Sequence, residues 1–251
     1  MTDILEIAKK DGRWSECPAC SETIITSKLE EHLWVCPHCD HHFRIDATKR
    51  IAVTCDEGSF VEMDLFPKAP DDQAGVTDEA VRAGRALIMG QPCLLGVMDF
   101  SYRGGSMGVA VGEAIIAMMK TAHMKALPFV MFCASGGVRV QEGIWGLFQM
   151  LRTVHARSQT SDNAMITVFT DPTTGGVSAS FASLADVMIS EPGAKIGFAG
   201  PRVVEATMNC TLPADFQDAS RLLAGGLIDM IVHRSRMRDT LAFFLQWFSR
   251  T

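Results

Sequence analysis

The chain has 251 residues, of which 47% are hydrophobic and 21% charged, and its formal net charge is −6. This composition is typical of one large globular domain, and it disfavours a protein that binds nucleic acid over its whole surface. The N-terminal MTDILEIAKKDGRW has no signal-peptide pattern, and no run approaches the roughly 18 apolar residues of a membrane helix. We therefore expect a cytoplasmic protein.

The first motif in chain order is a pair of C-x2-C turns separated by fifteen residues. This spacing is typical of a four-cysteine zinc site, because each turn presents two thiolates to one tetrahedral ion. The turns are expected at the tips of adjacent hairpins, with two short strands between them. Two disulfides or two redox pairs are the alternatives, and the expected compartment disfavours the disulfides. The predicted ligands of a structural zinc ion are Cys17, Cys20, Cys36 and Cys39.

Beyond these turns the pattern predicts a short helix over residues 47–53 and a loop over residues 64–79, which are rich in Pro, Asp and Gly. The segments RAGRALIMG and QPCLLGVMDF then indicate a hairpin that turns at Gly90.

Strands and helices alternate over the rest of the chain. Apolar runs predict strands at LPFVMFC, AMITVFT, DVMIS and KIGFAG. Helical spacing predicts helices at 108–125, 142–158, 177–185, 202–208, 215–224 and MRDTLAFFLQWFSR. This alternation predicts parallel pairing in an α/β core.

Two of the predicted strands lead into a glycine pair, Gly136–Gly137 and Gly175–Gly176. Glycine lets a ligand approach the main chain closely. Two such turns side by side could direct peptide N–H groups at one developing oxyanion, such as an enolate. Tight turns without chemistry are the alternative, and a phosphate loop is disfavoured because neither turn has its Lys-Ser/Thr ending. A third pair, Gly104–Gly105, is expected to shape the same cleft.

Other candidate residues lie near these turns. Cys93 and Cys133 lie in apolar runs and are predicted to be core residues, with a nucleophilic role for Cys133 as the alternative. Arg139 and Glu142 follow the first glycine turn and could orient the loop, pair with each other or contact a partner.

Several stretches, in this order, resemble the β subunits of bacterial acetyl-CoA carboxylase carboxyltransferases. They are the four-cysteine ribbon, HHFRIDATKRI, MDFSYRGGSMG, ASGGVRVQEG, TDPTTGGVSASFA, EPGAKIGFAGPRVVE and GLIDMIV. The resemblance implies an α/β, ClpP/crotonase-like fold with a small N-terminal zinc ribbon. It divides the chain into a zinc ribbon at 14–46 and a carboxyltransferase domain at 47–251.

The resemblance also implies a reaction. A carboxyl group would pass from carboxybiotin, carried on a separate biotin carboxyl carrier protein, to acetyl-CoA to give malonyl-CoA. A homologous α subunit would complete the active site in an α2β2 assembly. The implied catalytic residues are Gly136, Gly137, Gly175 and Gly176. From their positions in the sequence, and not from the resemblance, the candidate substrate-binding residues are Gly104, Gly105, Arg139 and Arg202, with a partner surface as the alternative for Arg202.

The chain departs from the family pattern at three places: FPKAPDDQAG, the shortened TVHARSQTSDNAMITV, and GGVRV, where Val138 adds bulk beside the turn. The malonyl-CoA is expected to serve fatty-acid or specialised, polyketide-type biosynthesis. The departures indicate a divergent paralogue, either one that serves a specialised pathway such as antibiotic biosynthesis with its own α partner or one that has lost activity. One alternative is an acyl-CoA decarboxylase subunit of the same fold. Another is a regulator that binds nucleic acid through the ribbon, since HHFRIDATKR is locally basic.

Overall fold

The structure is a computed structural model that describes residues 13–65, 79–213 and 215–249. Most of the predicted loop at 64–79 therefore lies outside the described residues. Among the described residues, no helix combines the length and apolarity needed to cross a bilayer.

The N-terminal ribbon contains one small hairpin and a helix. Strands β1 (Trp14–Glu16) and β2 (Thr23–Ile25) pair antiparallel around the first cysteine turn. Helix α1 (Thr26–Glu31) follows directly, so the expected second strand between the cysteine turns is wrong. The helix buries Leu29 completely against the ribbon core and leaves its charged residues exposed. Leu29 is the one buried residue of this segment, so the segment lacks the alternation of apolar and polar residues that a half-buried strand needs. The second cysteine turn is closed by a single bridge between Val35 and His42.

The rest of the chain is built on an eight-stranded sheet. Its strands are β3 (Val61–Glu62), β4 (Val81–Ile88), β5 (Gln91–Met98), β6 (Phe129–Ser135), β7 (Met165–Thr174), β8 (Val187–Ser190), β9 (Ile196–Gly197) and β10 (Met230–Ile231). Their order is β10-β8-β7-β6-β5-β4-β3, with β9 beside the end of β7. The predicted hairpin is confirmed, since β4 and β5 pair antiparallel and turn at Met89 and Gly90, both at positive φ. Parallel pairing from β5 through β8 is confirmed as well.

Helices cover both faces of the sheet. They are α2 (Ala47–Thr54), α3 (Val109–Met124), α4 (Ile144–Gln159), α5 (Gly175–Ser178), α6 (Pro201–Met208), α7 (Ala219–Ala224) and α8 (Arg234–Phe248). Strand β6 shows how the core is divided, because all of its seven residues are buried. Phe129, Met131 and Cys133 share one cluster with α3, whereas Val130 and Phe132 share the other with α2 and α8. A strand buried on both faces reads as a continuous apolar run, which is why the sequence revealed it.

The helix predicted over residues 177–185 is wrong. The chain forms the single turn α5 and then a 3-10 turn at Phe181–Leu184. Serine hydroxyls explain the break, because they bond to nearby carbonyls and compete with the helix ladder. Ser180 Oγ donates to the Gly176 carbonyl at 2.6 Å, and Ser183 Oγ donates to the Ser178 carbonyl at 2.5 Å.

Candidate active site and metal centre

The four ribbon cysteines converge on one point. Their sulfur atoms all lie within 4.8 Å of one another. Cys17 Sγ is 3.6 Å from Cys39 Sγ, and Cys20 Sγ is 3.8 Å from Cys36 Sγ. Tetrahedral zinc with Zn–S bonds of about 2.3 Å separates its sulfur ligands by about 3.8 Å, far more than a disulfide of about 2.05 Å. The residues therefore fit zinc, and four thiolates leave no open position, so the predicted structural zinc site is confirmed.

The first two glycine turns lie side by side at the carboxyl ends of β6 and β7. Gly137 has φ +114° and Gly175 has φ +65°. A Cβ on Gly137 would lie 3.0 Å from Gly175 Cα and 3.2 Å from the amide nitrogen of Gly176. Only glycine permits this approach of two backbones, and parallel strands bring the turns together because their carboxyl ends meet at one edge.

The hydrogen bonds of these turns show which amides are free. Gly136 N–H donates to the Gly104 carbonyl at 2.8 Å, and Gly175 N–H donates to the Phe198 carbonyl at 2.9 Å. Gly137 N–H donates to Ser135 Oγ at 3.0 Å. These three amides hold the turns together, which revises the prediction that they supply oxyanion donors.

Two amides of the same turns remain. Within the described part of the chain, no acceptor is bonded to the N–H of Gly176 or of Val138. The Val138 side chain lies against Gly176, because a Cβ on Gly176 would overlap Val138 Cγ2. Sequence reasoning chose Gly176 and missed the Val138 amide, since no residue pattern reveals which peptide N–H points away from the turn.

The third glycine pair supports the first. The Gly105 carbonyl accepts the Ser135 hydroxyl at 2.6 Å, and a Cβ on Gly105 would overlap the carbonyl oxygen of Ala134. Gly104 contributes the carbonyl that accepts Gly136 N–H. The pair thus adjoins the first glycine turn, as expected, and a direct contact of either glycine with substrate stays a prediction.

Arg139 is a buried structural residue, 2% exposed. Its two Nη atoms donate to both oxygens of Glu79 at 3.0 and 2.8 Å, and also to Glu142 and the Ser106 carbonyl at 3.3 and 3.0 Å. Nε donates to Ser106 Oγ at 3.2 Å, so all five N–H groups are used. This arrangement revises the prediction that Arg139 binds substrate.

Glu142 and Arg202 are the other two charged residues that the sequence singled out. Glu142 orients the loop, because its Oε2 accepts Val109 N–H at 2.6 Å and so caps the start of α3. Arg202 lies in α6, but its side chain lies outside the described residues.

The cysteines near the site belong to the core. Cys133 is fully buried and burial raises the pKa of its thiol, which opposes a thiolate nucleophile. Cys93 is 1% exposed, and burial raises the pKa of its thiol in the same way. The prediction that both are core residues is confirmed.

A buried ionic cluster beneath the ribbon was not predicted. Glu191 is 2% exposed and accepts from Arg50 at 2.6 Å and from Arg234 at 2.7 and 2.8 Å. His42 Nδ1 lies 3.5 Å away. Burial alone would raise the pKa of Glu191, but the two arginines outweigh burial and hold that pKa well below its usual range. The sequence gives no signal for this cluster, because its members are separated by up to 192 positions (Arg234 minus His42).

Comparison with known proteins agrees with this architecture. A family model described as "Carboxyl transferase domain" matches residues 44–246, and one described as "Acetyl-CoA carboxylase zinc finger domain" matches residues 14–39. The chain is 44% identical to the acetyl-coenzyme A carboxylase carboxyl transferase subunit beta of Carboxydothermus hydrogenoformans, over 96% of this chain and 91% of the relative. It is 45% identical to the subunit of the same name from Desulforamulus reducens, over 94% and 87%.

Solved structures share the fold. A transcarboxylase 12S structure with methylmalonyl-coenzyme A bound matches with a TM-score of 0.70 and 27% identity, over 80% of this chain and 41% of that one. A Pseudomonas malonate decarboxylase hetero-dimer matches with a TM-score of 0.67 at 24% identity, over 82% and 86%, which shows the fold alone. The predicted α/β, ClpP/crotonase-like fold is confirmed, and neither the decarboxylase nor the nucleic-acid alternative is favoured. The chain therefore belongs to the carboxyl transferase family, among the beta subunits of acetyl-CoA carboxylase carboxyl transferase.

Proposed function

We propose that this chain stabilises the enolate of acetyl-CoA while a carboxyl group passes to it from carboxybiotin on a separate carrier protein, giving malonyl-CoA. The observation that carries the proposal is the contact between two glycine turns that leaves the amides of Val138 and Gly176 without internal acceptors among the described residues. The family membership supports the reaction class.

The chemistry needs backbone donors. When the N–CO2 bond of carboxybiotin breaks, the ureido group of biotin would take a proton from the acetyl methyl group, which places negative charge on the thioester oxygen. The enolate carbon would then bond to the released CO2 to give malonyl-CoA. Fixed N–H groups stabilise that charge without reorganising, and removal of one such donor typically lowers kcat by about 10²–10³. The glycine contacts at Gly137 and Gly175 fix the two turns, so both donors are held in place before substrate binds.

A partner subunit is supported by an exposed apolar face on α4. Ile144, Trp145, Phe148 and Leu151 are 58%, 66%, 47% and 67% exposed. Three of them recur at positions i, i+4 and i+7, so they share one side of the helix. Exposed apolar patches of this kind mark protein interfaces. Because α4 begins just beyond the first glycine turn, we propose that the α subunit covers this face beside the site, in an α2β2 assembly.

The test is reconstitution with a candidate α subunit and an assay of malonyl-CoA-dependent carboxylation of free biotin. Two double variants isolate the Gly176 amide: Val138→Ala with Gly176→Pro removes the N–H, whereas Val138→Ala with Gly176→Ala keeps it. Val138→Ala makes room in both for a side chain at Gly176, and the flexible Met150 thioether is the next contact.

We expect the proline variant to have a kcat about 10²–10³ lower than its alanine control. Equal turnover of the two variants would show that the Gly176 amide is no oxyanion donor. No turnover by the unmodified chain with any α subunit would refute the activity itself.

A further inference from the structure

Arg234 joins the ribbon to the sheet. It begins α8, and its side chain is 2% exposed. Two of its N–H groups bind Glu191, and the others donate to the carbonyls of Leu33, Trp34 and Phe43 at 3.0, 2.9 and 3.0 Å. All five guanidinium donors are therefore used between two parts of the chain about 200 positions apart.

The ribbon carbonyls that Arg234 holds lie at the base of the second cysteine turn. Leu33 and Trp34 precede Cys36, and Phe43 follows Cys39. Phe43 N–H closes the same base by donating to the Trp34 carbonyl at 3.0 Å. Leu33 and Trp34 both have positive φ, 55° and 60°, a conformation that is unfavourable for side chains other than glycine. The three carbonyl contacts compensate for this strain and fix the position of the turn.

On the sheet side, Glu191 and a second ribbon contact both bind β7, the strand that leads into the second glycine turn. Glu191 follows β8, and its N–H donates to the Phe169 carbonyl of β7 at 3.0 Å. A second ribbon residue, Arg44, donates to Asp171 of β7 at 2.9 Å, and Asp171 also accepts Lys195 N–H at 3.1 Å. Asp171 lies four positions before Gly175, so the ribbon contacts the segment that leads into the turn.

We propose that Arg234 is a positioning residue that joins the second cysteine turn to the carboxyl ends of β7 and β8, so that zinc binding and the geometry of the second glycine turn stabilise each other. Such coupling is reciprocal, so loss of zinc should destabilise the second glycine turn, and a change that destabilises the turn should weaken zinc binding. Residues that hydrogen-bond to metal ligands from outside the coordination sphere typically change metal affinity by about 10- to 100-fold when replaced. Arg234 bonds to the backbone beside Cys36 and Cys39 and not to the ligands themselves, so this range is an upper bound for its effect.

The first test measures zinc release from the zinc-loaded complex with its α subunit into excess chromogenic chelator. Arg234→Gln should release zinc faster than the unmodified chain, by up to about 10- to 100-fold. The rate of zinc release from Arg234→Lys should lie between the rates of the unmodified chain and of Arg234→Gln, because one ammonium group cannot replace the five donors of a planar guanidinium. The matched control is Arg236→Gln on the same helix, where the side chain is 76% exposed and pairs with Asp239 across 3.7 Å. Zinc release from a folded Arg234→Gln variant at the rate of the control would overturn the proposal.

The second test needs no variant. Amide hydrogen exchange is compared before and after zinc removal from the unmodified complex, with the peptide over residues 109–124 as the internal reference. Exchange over residues 169–176 should quicken relative to the reference. If zinc removal leaves exchange there unchanged, the coupling does not exist, whether or not the Arg234 variants fold.

Discussion

Replacing Glu191 by glutamine tests how much the buried ionic cluster stabilises the fold. Glu191 bridges Arg50 and Arg234, and the side chains of all three are 5% exposed or less. A neutral amide at this position would leave two buried guanidinium cations without a counter-ion. Removing one member of a buried ion pair typically costs about 3–5 kcal/mol, and each kcal/mol lowers the melting temperature of a chain this size by about 2–4 °C. We therefore expect the melting temperature to fall by about 6–20 °C.

The matched control is Glu62→Gln. Glu62 also binds one arginine through two hydrogen bonds, to Arg82 at 2.7 and 2.8 Å, but its side chain is 51% exposed. An exposed pair contributes about 0–1 kcal/mol, so the control should melt within about 4 °C of the unmodified protein. Thermal unfolding followed by circular dichroism measures both variants. Equal shifts would refute the reasoning that burial decides the strength of this cluster.

The difference in melting temperature between the unmodified protein and Glu191→Gln should depend on pH in one direction. The folded-state pKa of Glu191 lies well below its usual value. A carboxyl group with a lowered pKa contributes stability that is fully present above the unfolded-state pKa of about 4.3 and is lost as the pH falls through the folded-state pKa. The difference in melting temperature between the unmodified protein and Glu191→Gln should therefore be constant near neutral pH and shrink below about pH 4.3.

Three further predictions concern the site and the ribbon. Gly137→Ala places a Cβ 3.0 Å from Gly175 Cα at φ +114°, so thermal unfolding should show a loss of about 1–3 kcal/mol; Gly58→Ala, also at positive φ but with no atom within 4 Å, should lose less. Cys133→Ala should keep its carboxyltransferase activity because the thiol is fully buried, and an inactive but folded variant would restore the nucleophile hypothesis. Chelating zinc should unfold the ribbon around its four cysteines, with a change in tryptophan fluorescence that added zinc reverses, whereas a spectrum insensitive to chelator would contradict a structural metal.

Features that depend on local pattern could be predicted from the amino-acid sequence. The two C-x2-C turns predicted the zinc ligands because metal geometry fixes ligand spacing over short distances. Continuous apolar runs revealed the buried parallel strands, and the turns after β6 and β7 placed the site at one edge of the sheet. The same local reasoning failed over residues 177–185, where the apolar spacing is helical but the hydroxyls of Ser180 and Ser183 bond to the carbonyls of Gly176 and Ser178, which a helix would use.

Which peptide groups are free and which charges are buried depends instead on the packing of distant segments. Four glycines were equal candidates in the sequence, yet the amides of Gly136, Gly137 and Gly175 are bonded within the protein, and the free donors among the described residues of these turns are those of Gly176 and Val138. Arg139, a candidate for substrate, is enclosed by acceptors that come from three parts of the chain. Hydrogen-bond partners distant in sequence leave no periodic signal, because it is the packing of the whole sheet that brings them within about 3 Å.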